Sequence, residues 1–418
     1  MGERALRQAF TAKLEELADA RDDLYVVTSD ARGSVGLTRF FERFPSRAVE
    51  AGIAEMSAVS VAAGIASCGN KVFCCGPAGF LSARSLEQIK TDIVYNQSNV
   101  AIVGVSGGVS YGALGFTHHS LHDIAVMRTF PGINVIVPSD AVQMEQLTEQ
   151  LCGDATPAYV RIGRGPVDVI YGSDVKFNIG KAHVVHEGET NMNRICGAYI
   201  NRMCGANMGG VCGVRANGAC GADAIGVCDP DVIGVYGVRA GGVSYANVNG
   251  VCNADMYSGC GVNMGGASYA NAIGVFAPDA IDACDADAGL ECVDVLIIAC
   301  GEMVAQALPA CELLEKDGVK TTLLDMHTIK PLDADKIMEY ARTASLVVTV
   351  EEHSVYGGLG GAVSEYLSQN HPVRMMILGL PDEIPVTGSS QELFRYYGLD
   401  SAGIYRSIKQ RLFAVCVS

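Results

Sequence analysis

The stretch KVFCCGPAGFLSARSLEQIKTDIVYNQSNVAIVGVSGG (residues 71–108) reads as one strand–helix–strand unit. KVFCC and VAIVGV are short continuous apolar runs bounded by turn residues, the pattern of strands buried on both faces. Between them SLEQIKTDIVYNQ spaces its apolar residues three and four apart, as a helix does. A helical crossover between buried strands makes them parallel, because it carries the chain back to the same end of the sheet.

The unit extends in both directions. ALRQAFTAKLEELADARDD (5–23) reads as a helix, LYVVTSD (24–30) as a strand and AEMSAVSVAAGIASCG (54–69) as a helix. INVIVPSD (133–140) is a strand, AVQMEQLTEQLCG (141–153) a helix and PAYVRIGRG (157–165) a strand. Residues 293–418 repeat the style with the strands VDVLIIACG (293–301), VKTTLLDMHTIKPLD (319–333), SLVVTVEEH (345–353) and VRMMILGL (373–380). The fold class is therefore α/β, with two domains of parallel or mixed sheets, 1–165 and 293–418. Residues 166–188 form a linker and the first strand of the second domain, GKAHVVHEG (180–188). In such sheets ligands gather at the carboxyl ends of the strands, here the loops TSDARGS (28–34), CGPAGFLSAR (75–84) and GVSYGALGFTHHS (108–120).

Between the domains lie 104 residues of another kind. Cysteine stands at 196, 204, 212, 220, 228, 252, 260, 284 and 292, every gap a multiple of eight, and residues 189–292 divide into thirteen octads with none left over. The third place is Asn or Asp in ten octads and the sixth is Gly in eight. Gly at that density opposes a continuous helix. Two readings stand: a β-solenoid with Asn/Asp ladders, or a flexible Gly-rich loop. The segment has no CxxC pair and no His, so its nine cysteines do not read as a zinc site. Its flanks, GKAHVVHEG and VDVLIIACG, are expected to pair as a hairpin with the octads as a passenger at its tip.

Composition narrows the function. The 418 residues carry a formal net charge of −16, which argues against nucleic-acid partners. No run approaches 18 apolar residues, so no membrane span is expected. The opening residues read as a charged helix rather than a secretory leader. Most of the 16 cysteines lie in the octads rather than in a disulfide-like framework, which fits a reducing cytoplasm.

Several side chains could carry chemistry. Glu55 opens an apolar helix, where a carboxylate could serve only the helix dipole. His118 and His119, with His122 and Asp123 one turn on, put four polar, titratable groups in and beside a Gly-rich loop, more than packing needs. Arg161 and Arg164 end a strand, where phosphate or carboxylate binding competes with simple solvation. GGLGG at 357–361 lacks the spacing of a dinucleotide fingerprint.

Four ordered motifs, VEAGIAEMSAVSVAAGIAS (49–67), GFLSARSLEQIKTDI (79–93), GFTHHSLHDIAVMR (115–128) and VVTVEEHSVYGGLGGAV (347–363), together resemble the transketolase family. The chain is similar to the C-terminal subunit of a split transketolase, a pyrimidine-binding domain plus a C-terminal domain, over nearly all of 1–188 and 293–418. The octads are outside that pattern. The resemblance implies thiamine diphosphate as cofactor. It makes Glu55 the carboxylate that hydrogen-bonds the aminopyrimidine and favours the tautomer that activates the thiazolium, while the cofactor holds the electrons when a C–C bond breaks. It makes Phe80 the aromatic residue stacked on the pyrimidine, with Ala83 and Leu86 at two further pocket positions that relatives often fill with larger side chains. Asp30 matches a loop near the cofactor and the subunit contact. His118 is implied to reach the substrate, His119 to help bind it, and Arg161 or Arg164 to stand at the strand end where relatives hold a sugar phosphate. Leu114 stands where relatives acting on common ketose phosphates often have an Asp that contacts substrate hydroxyls, which puts the usual pentose phosphates in doubt.

The diphosphate and Mg2+ of the family need a GDG motif followed by Asn, and this chain has no GDG. The resemblance therefore implies an N-terminal partner subunit that holds them, a dimer of heterodimers, a sugar phosphate substrate and no metal ligand on this chain. The alternatives are a β-type subunit of a 2-oxoacid dehydrogenase, a deoxyxylulose-phosphate synthase-like half, and a non-catalytic carrier that displays the repeat.

Overall fold

The computed structural model describes residues 2–188, 213–216, 222–225 and 295–413. The chain divides into two units, Met1–Thr190 with Ala286–Ser418, and Asn191–Asp285. In the first, the strands of the two main sheets in chain order are β1 (Leu24–Thr28), β2 (Ala48–Glu50), β3 (Lys71–Pro77), β4 (Val100–Val105), β5 (Asn134–Ile136), β6 (Ala158–Ile162), β7 (His183–Glu187), β8 (Val295–Ala299), β9 (Thr321–Asp325), β10 (Thr328–Lys330), β11 (Leu346–Ser354) and β12 (Met375–Leu380). One seven-stranded sheet has the order β10-β5-β6-β4-β3-β1-β2, and one five-stranded sheet the order β12-β11-β8-β9-β7. Within these two sheets all pairings are parallel except those of β10 with β5 and of β7 with β9, and a separate antiparallel pair joins Glu3–Ala5 to Pro166–Asp168.

The two strands of the unit at 71–108 form as their sequence dictates, whereas the expected loop between them winds into a helix at Ala78–Arg84 and the expected helix widens to a π-helix at Ile89–Val94. Along β3, Val72 and Cys74 join one apolar cluster, with Ala58 and Ala62 of helix α2 (Glu55–Ser67). Phe73 and Cys75 join another, with Phe10 and Leu14 of helix α1 (Leu6–Ala20) on the opposite face. Alternate side chains thus enter cores on both faces, which is why the run is apolar throughout. The six described cysteines are free; Cys68 is exposed and Cys74, Cys75, Cys152, Cys300 and Cys311 are buried.

Two expectations are corrected. VKTTLLDMHTIKPLD is two strands in different sheets: Thr321–Asp325 pairs with β8, and Thr328–Lys330 pairs antiparallel with β5 of the first domain. The crossing is held by Val137 N–H donating to His327 O at 2.7 Å. The flanks of the octads do not form a hairpin. β7 pairs with β9, antiparallel, and β9 separates it from β8. Gly188 N–H donates to Thr321 O at 2.8 Å, while Val295 faces Thr321 from the other side. A parallel β8–β9 pair leaves one edge of β9 open, and β7 closes it.

The motif VEEHSVYGGLGG holds the second domain to the first. Glu351 accepts the N–H groups of Leu359 (2.7 Å) and Gly360 (2.8 Å), capping the otherwise unpaired start of the helix Leu359–Asn370. Glu352 points the other way and accepts Val109 N–H of the first domain at 2.7 Å. Gly108, at φ +59°, leaves the room: a Cβ there would run into both Glu352 and Arg161.

In the second unit, Gly213–Ala216 pairs antiparallel with Ala222–Ile225, Gly213 opposite Ile225. Beyond these eight residues the octads, and the choice between solenoid and loop, lie outside the described residues. Among the described residues no helix is long and apolar enough to cross a membrane.

Candidate active site

Parallel strands deliver successive loops to one sheet edge. Asp30 follows β1, Glu55 follows β2, Phe80 follows β3, His118 follows β4 and Arg164 follows β6. Glu50, at the end of β2, accepts the N–H groups of Asp30 (2.6 Å) and Gly52 (3.2 Å) and so ties the first two loops together. Asp30 itself is exposed, with φ +49°.

Glu55 is the first residue of α2 and is only 6% exposed. Its Oε1 accepts a hydrogen bond from Arg84 Nη1 at 2.7 Å. Arg84 and Phe80 are one turn apart on helix α3 (Ala78–Arg84), so they share a face, and the guanidinium carbon stands 4.1 Å from the Phe80 ring centre. The Phe80 ring meets His118 edge-on at 5.2 Å between centroids. Tyr111 meets the same imidazole at 5.4 Å, and Arg164 lies over Tyr111 at 5.2 Å. Glu55, Arg84, Phe80, His118, Tyr111 and Arg164 therefore form one continuous chain of contacts. Gly79 lets the loop come this close, since a Cβ there would stand 3.2 Å from His119 O.

Of the expected site residues, Glu55, Phe80, His118 and Arg164 are brought together. Ala83 is exposed beside Arg84, and Leu86 is half-buried just beyond the helix. His118 is half-buried, with Nδ1 2.9 Å from Thr117 Oγ1. His119 is buried beneath the loop, with Nε2 3.3 Å from Gly112 O, and burial lowers its pKa, which keeps it neutral near pH 7. Leu114 is 56% exposed on the same loop.

Arg161 does not present itself to this edge. It is 3% exposed and donates to Glu352 O at 2.6 Å, with Asp123 Oδ2 3.4 Å from its Nε. Position 161 is inside a strand that packs on the second domain; position 164 is past its end. The expected pair of arginines thus separates into a buried interdomain tie and a half-buried cation at the site. Sequence reading missed Arg84 and Tyr111. The first had a signal, its i,i+4 spacing from Phe80 in FLSAR.

Two family profiles match the chain: the transketolase pyrimidine binding domain over residues 2–168 and the transketolase C-terminal domain over 290–404. A subunit of the apulose-4-phosphate transketolase of Phocaeicola vulgatus is 38% identical over 404 residues, covering 96% of each chain. A putative transketolase C-terminal section of Methanocaldococcus jannaschii is 26% identical over 412 residues, covering 98% of this chain and 96% of that one. A solved split gene transketolase, described as an inactive beta4 tetramer, aligns with a TM-score of 0.66 and 26% identity over 98% of both chains. The chain belongs to the transketolase family and is a transketolase-like transferase subunit.

Proposed function

We propose that this chain is the C-terminal subunit of a split, thiamine diphosphate-dependent transketolase that moves a two-carbon ketol unit between sugar phosphates once an N-terminal partner is bound. The observation that carries the reading is the buried Glu55 carboxylate linked through Arg84 to the Phe80 ring, with His118 meeting that ring edge-on. Family membership implies dependence on thiamine diphosphate. The residues fit its aminopyrimidine: Glu55 and Phe80 already hold a flat N–H-donating group, the Arg84 guanidinium, by one hydrogen bond and one ring face. When bound, the cofactor supplies the electron sink for C–C cleavage.

The chain's own residues do the rest. Glu55 holds a proton-sharing contact at its carboxylate, in a site dry enough to strengthen it. Phe80 fixes the plane of the pyrimidine. Ala83 and Leu86 line the pocket next to it, and Asp30 sits where the first loop meets the partner. His118 exchanges protons with substrate oxygens. Arg164 holds a substrate phosphate, with His119 buttressing the loop from beneath. Mg2+ and the diphosphate belong to the partner, consistent with the lack of a GDG motif here. In this reading the pyrimidine-binding domain is 1–165, the linker and first strand of the C-terminal domain 166–188, the octad insertion 189–292 and the C-terminal domain 293–418, and the assembly is a cytoplasmic dimer of heterodimers.

The test is co-purification with the partner subunit and a ketose-donor screen. Ketol transfer by the pair and none by this chain alone is the expected result. Robust transfer by the lone chain overturns the split, and oxidative decarboxylation of a 2-oxoacid in place of ketol transfer overturns the reaction.

A further inference from the structure

Arg84 makes the two contacts that the cofactor's aminopyrimidine is proposed to make. Its guanidinium is flat, lies 4.1 Å from the Phe80 ring centre and donates to Glu55 at 2.7 Å. One ring face and one carboxylate oxygen cannot serve both groups. The side chain is 49% exposed, so solvent reaches it, while the carboxylate it covers is 7% exposed. A buried carboxylate left unpaired is costly, which gives the pair a reason to form in the chain by itself. Arg84 also ends a seven-residue helix, where a long side chain can swing out without moving the backbone.

We infer that Arg84 is a built-in competitor, a latch that satisfies Glu55 and covers Phe80 until the cofactor's pyrimidine displaces it. The inference rests on the reading of Glu55 and Phe80 as the pyrimidine seat. Displacement adds a step to loading and lowers the net affinity for thiamine diphosphate by the strength of the Arg84 contacts. A half-exposed, charge-assisted contact of this kind corresponds to roughly a 3–10-fold change in binding. The latch protects the carboxylate before assembly and makes loading responsive to whatever draws Arg84 away, such as an acidic group on the partner.

The experiment is calorimetric titration of thiamine diphosphate with Mg2+ into the complex purified with its partner, comparing wild type, Arg84→Ala and Arg84→Lys, with association rates by stopped flow. Arg84→Ala is expected to bind about 3–10-fold more tightly and to associate faster. Arg84→Lys, which keeps the charge but not the plane, should fall between. Unchanged or weaker binding by Arg84→Ala, with wild type binding normally, overturns the latch and leaves the functional reading intact. No binding by wild type or either variant overturns the functional reading and the latch with it. A second readout needs no cofactor. In thermal melts of the chain alone, a double-mutant cycle of Glu55→Gln and Arg84→Ala must show coupling, and strict additivity also overturns the latch.

Discussion

Arg161 and Glu352 meet inside the protein across 191 residues of sequence, the Arg161 Nη2 donating to the Glu352 main-chain oxygen at 2.6 Å. Around this contact Glu352 Oε2 and Asp123 Oδ2 each lie 3.4 Å from the guanidinium. Glu302 Oε1 is buried with no hydrogen-bond partner among the described residues. One cation thus faces the buried carboxyl groups of Asp123 and Glu352, with Glu302 lining the same cavity and the Tyr159 hydroxyl donating to Asp123 at 2.7 Å. Burial raises the pKa values of Glu302 and Glu352 despite the opposing effect of Arg161, and the nearby Glu302 charge pushes Glu352 up further. The pair therefore holds a proton to higher pH in the fold than the unfolded chain does.

The first prediction follows from that proton. Unfolded carboxyls titrate near pH 4.3, and these two titrate higher in the fold. Between those limits the folded state binds more protons, so stability falls as pH rises through the folded values. The thermal midpoint should therefore decline from about pH 5 toward the alkaline side, and Glu302→Gln should flatten the decline. Equal slopes in wild type and Glu302→Gln would remove Glu302 as the proton's holder.

Arg161→Met should destabilise the fold by about 3–5 kcal/mol, because it leaves Asp123 and Glu352 buried without their cation. Denaturant unfolding measures this. A loss below about 1 kcal/mol is what a surface arginine gives and would contradict the interdomain role.

Arg164→Ala should separate from Arg161→Met in kinetics. It is expected to raise KM for a phosphorylated donor about tenfold or more, with little change in melting temperature. A drop in kcat at unchanged KM would move Arg164 from substrate binding to another role.

Glu55→Gln, assayed with the partner at saturating cofactor, should keep the fold and lose roughly 10²–10⁴-fold in turnover. Glutamine can touch a ring nitrogen but cannot stabilise its protonated form. Turnover within tenfold of wild type would exclude Glu55 from proton transfer.

Deleting 189–292 should be tolerated only with slack at the joint. Gly188 and Val295 flank Thr321 on opposite sides, so the joint must cross a strand, about 10 Å at ordinary strand spacing. The direct fusion reaches Val295 in three residue steps, about 10–11 Å fully extended, and is taut. The same deletion carrying four added Gly/Ser residues should melt higher than the direct fusion while pairing equally with the partner. Identical midpoints would show that the crossing imposes no strain.

The sequence by itself determined most of the elements and pointed to most residues of the candidate site. Periodicity around β3 set both flanking strands and the helix between them, since the identity of alternate residues is dictated by two buried faces. The segments that carry Phe80 and His118 were legible because each follows an expected strand end; Glu55 was legible as the start of an apolar helix, while the short strand before it, Ala48–Glu50, was not. What the sequence left open was pairing over distance. Nothing local in GKAHVVHEG says that its neighbour is β9 rather than β8, and nothing in VKTTLLDMHTIKPLD marks where it leaves one sheet for another. Likewise Arg161 and Arg164 look equivalent three residues apart. Only the packing of the second domain buries one against Glu352 and leaves the other over Tyr111. Local propensity fixes what each segment becomes; which charges meet is decided when segments far apart in the chain exclude water between them.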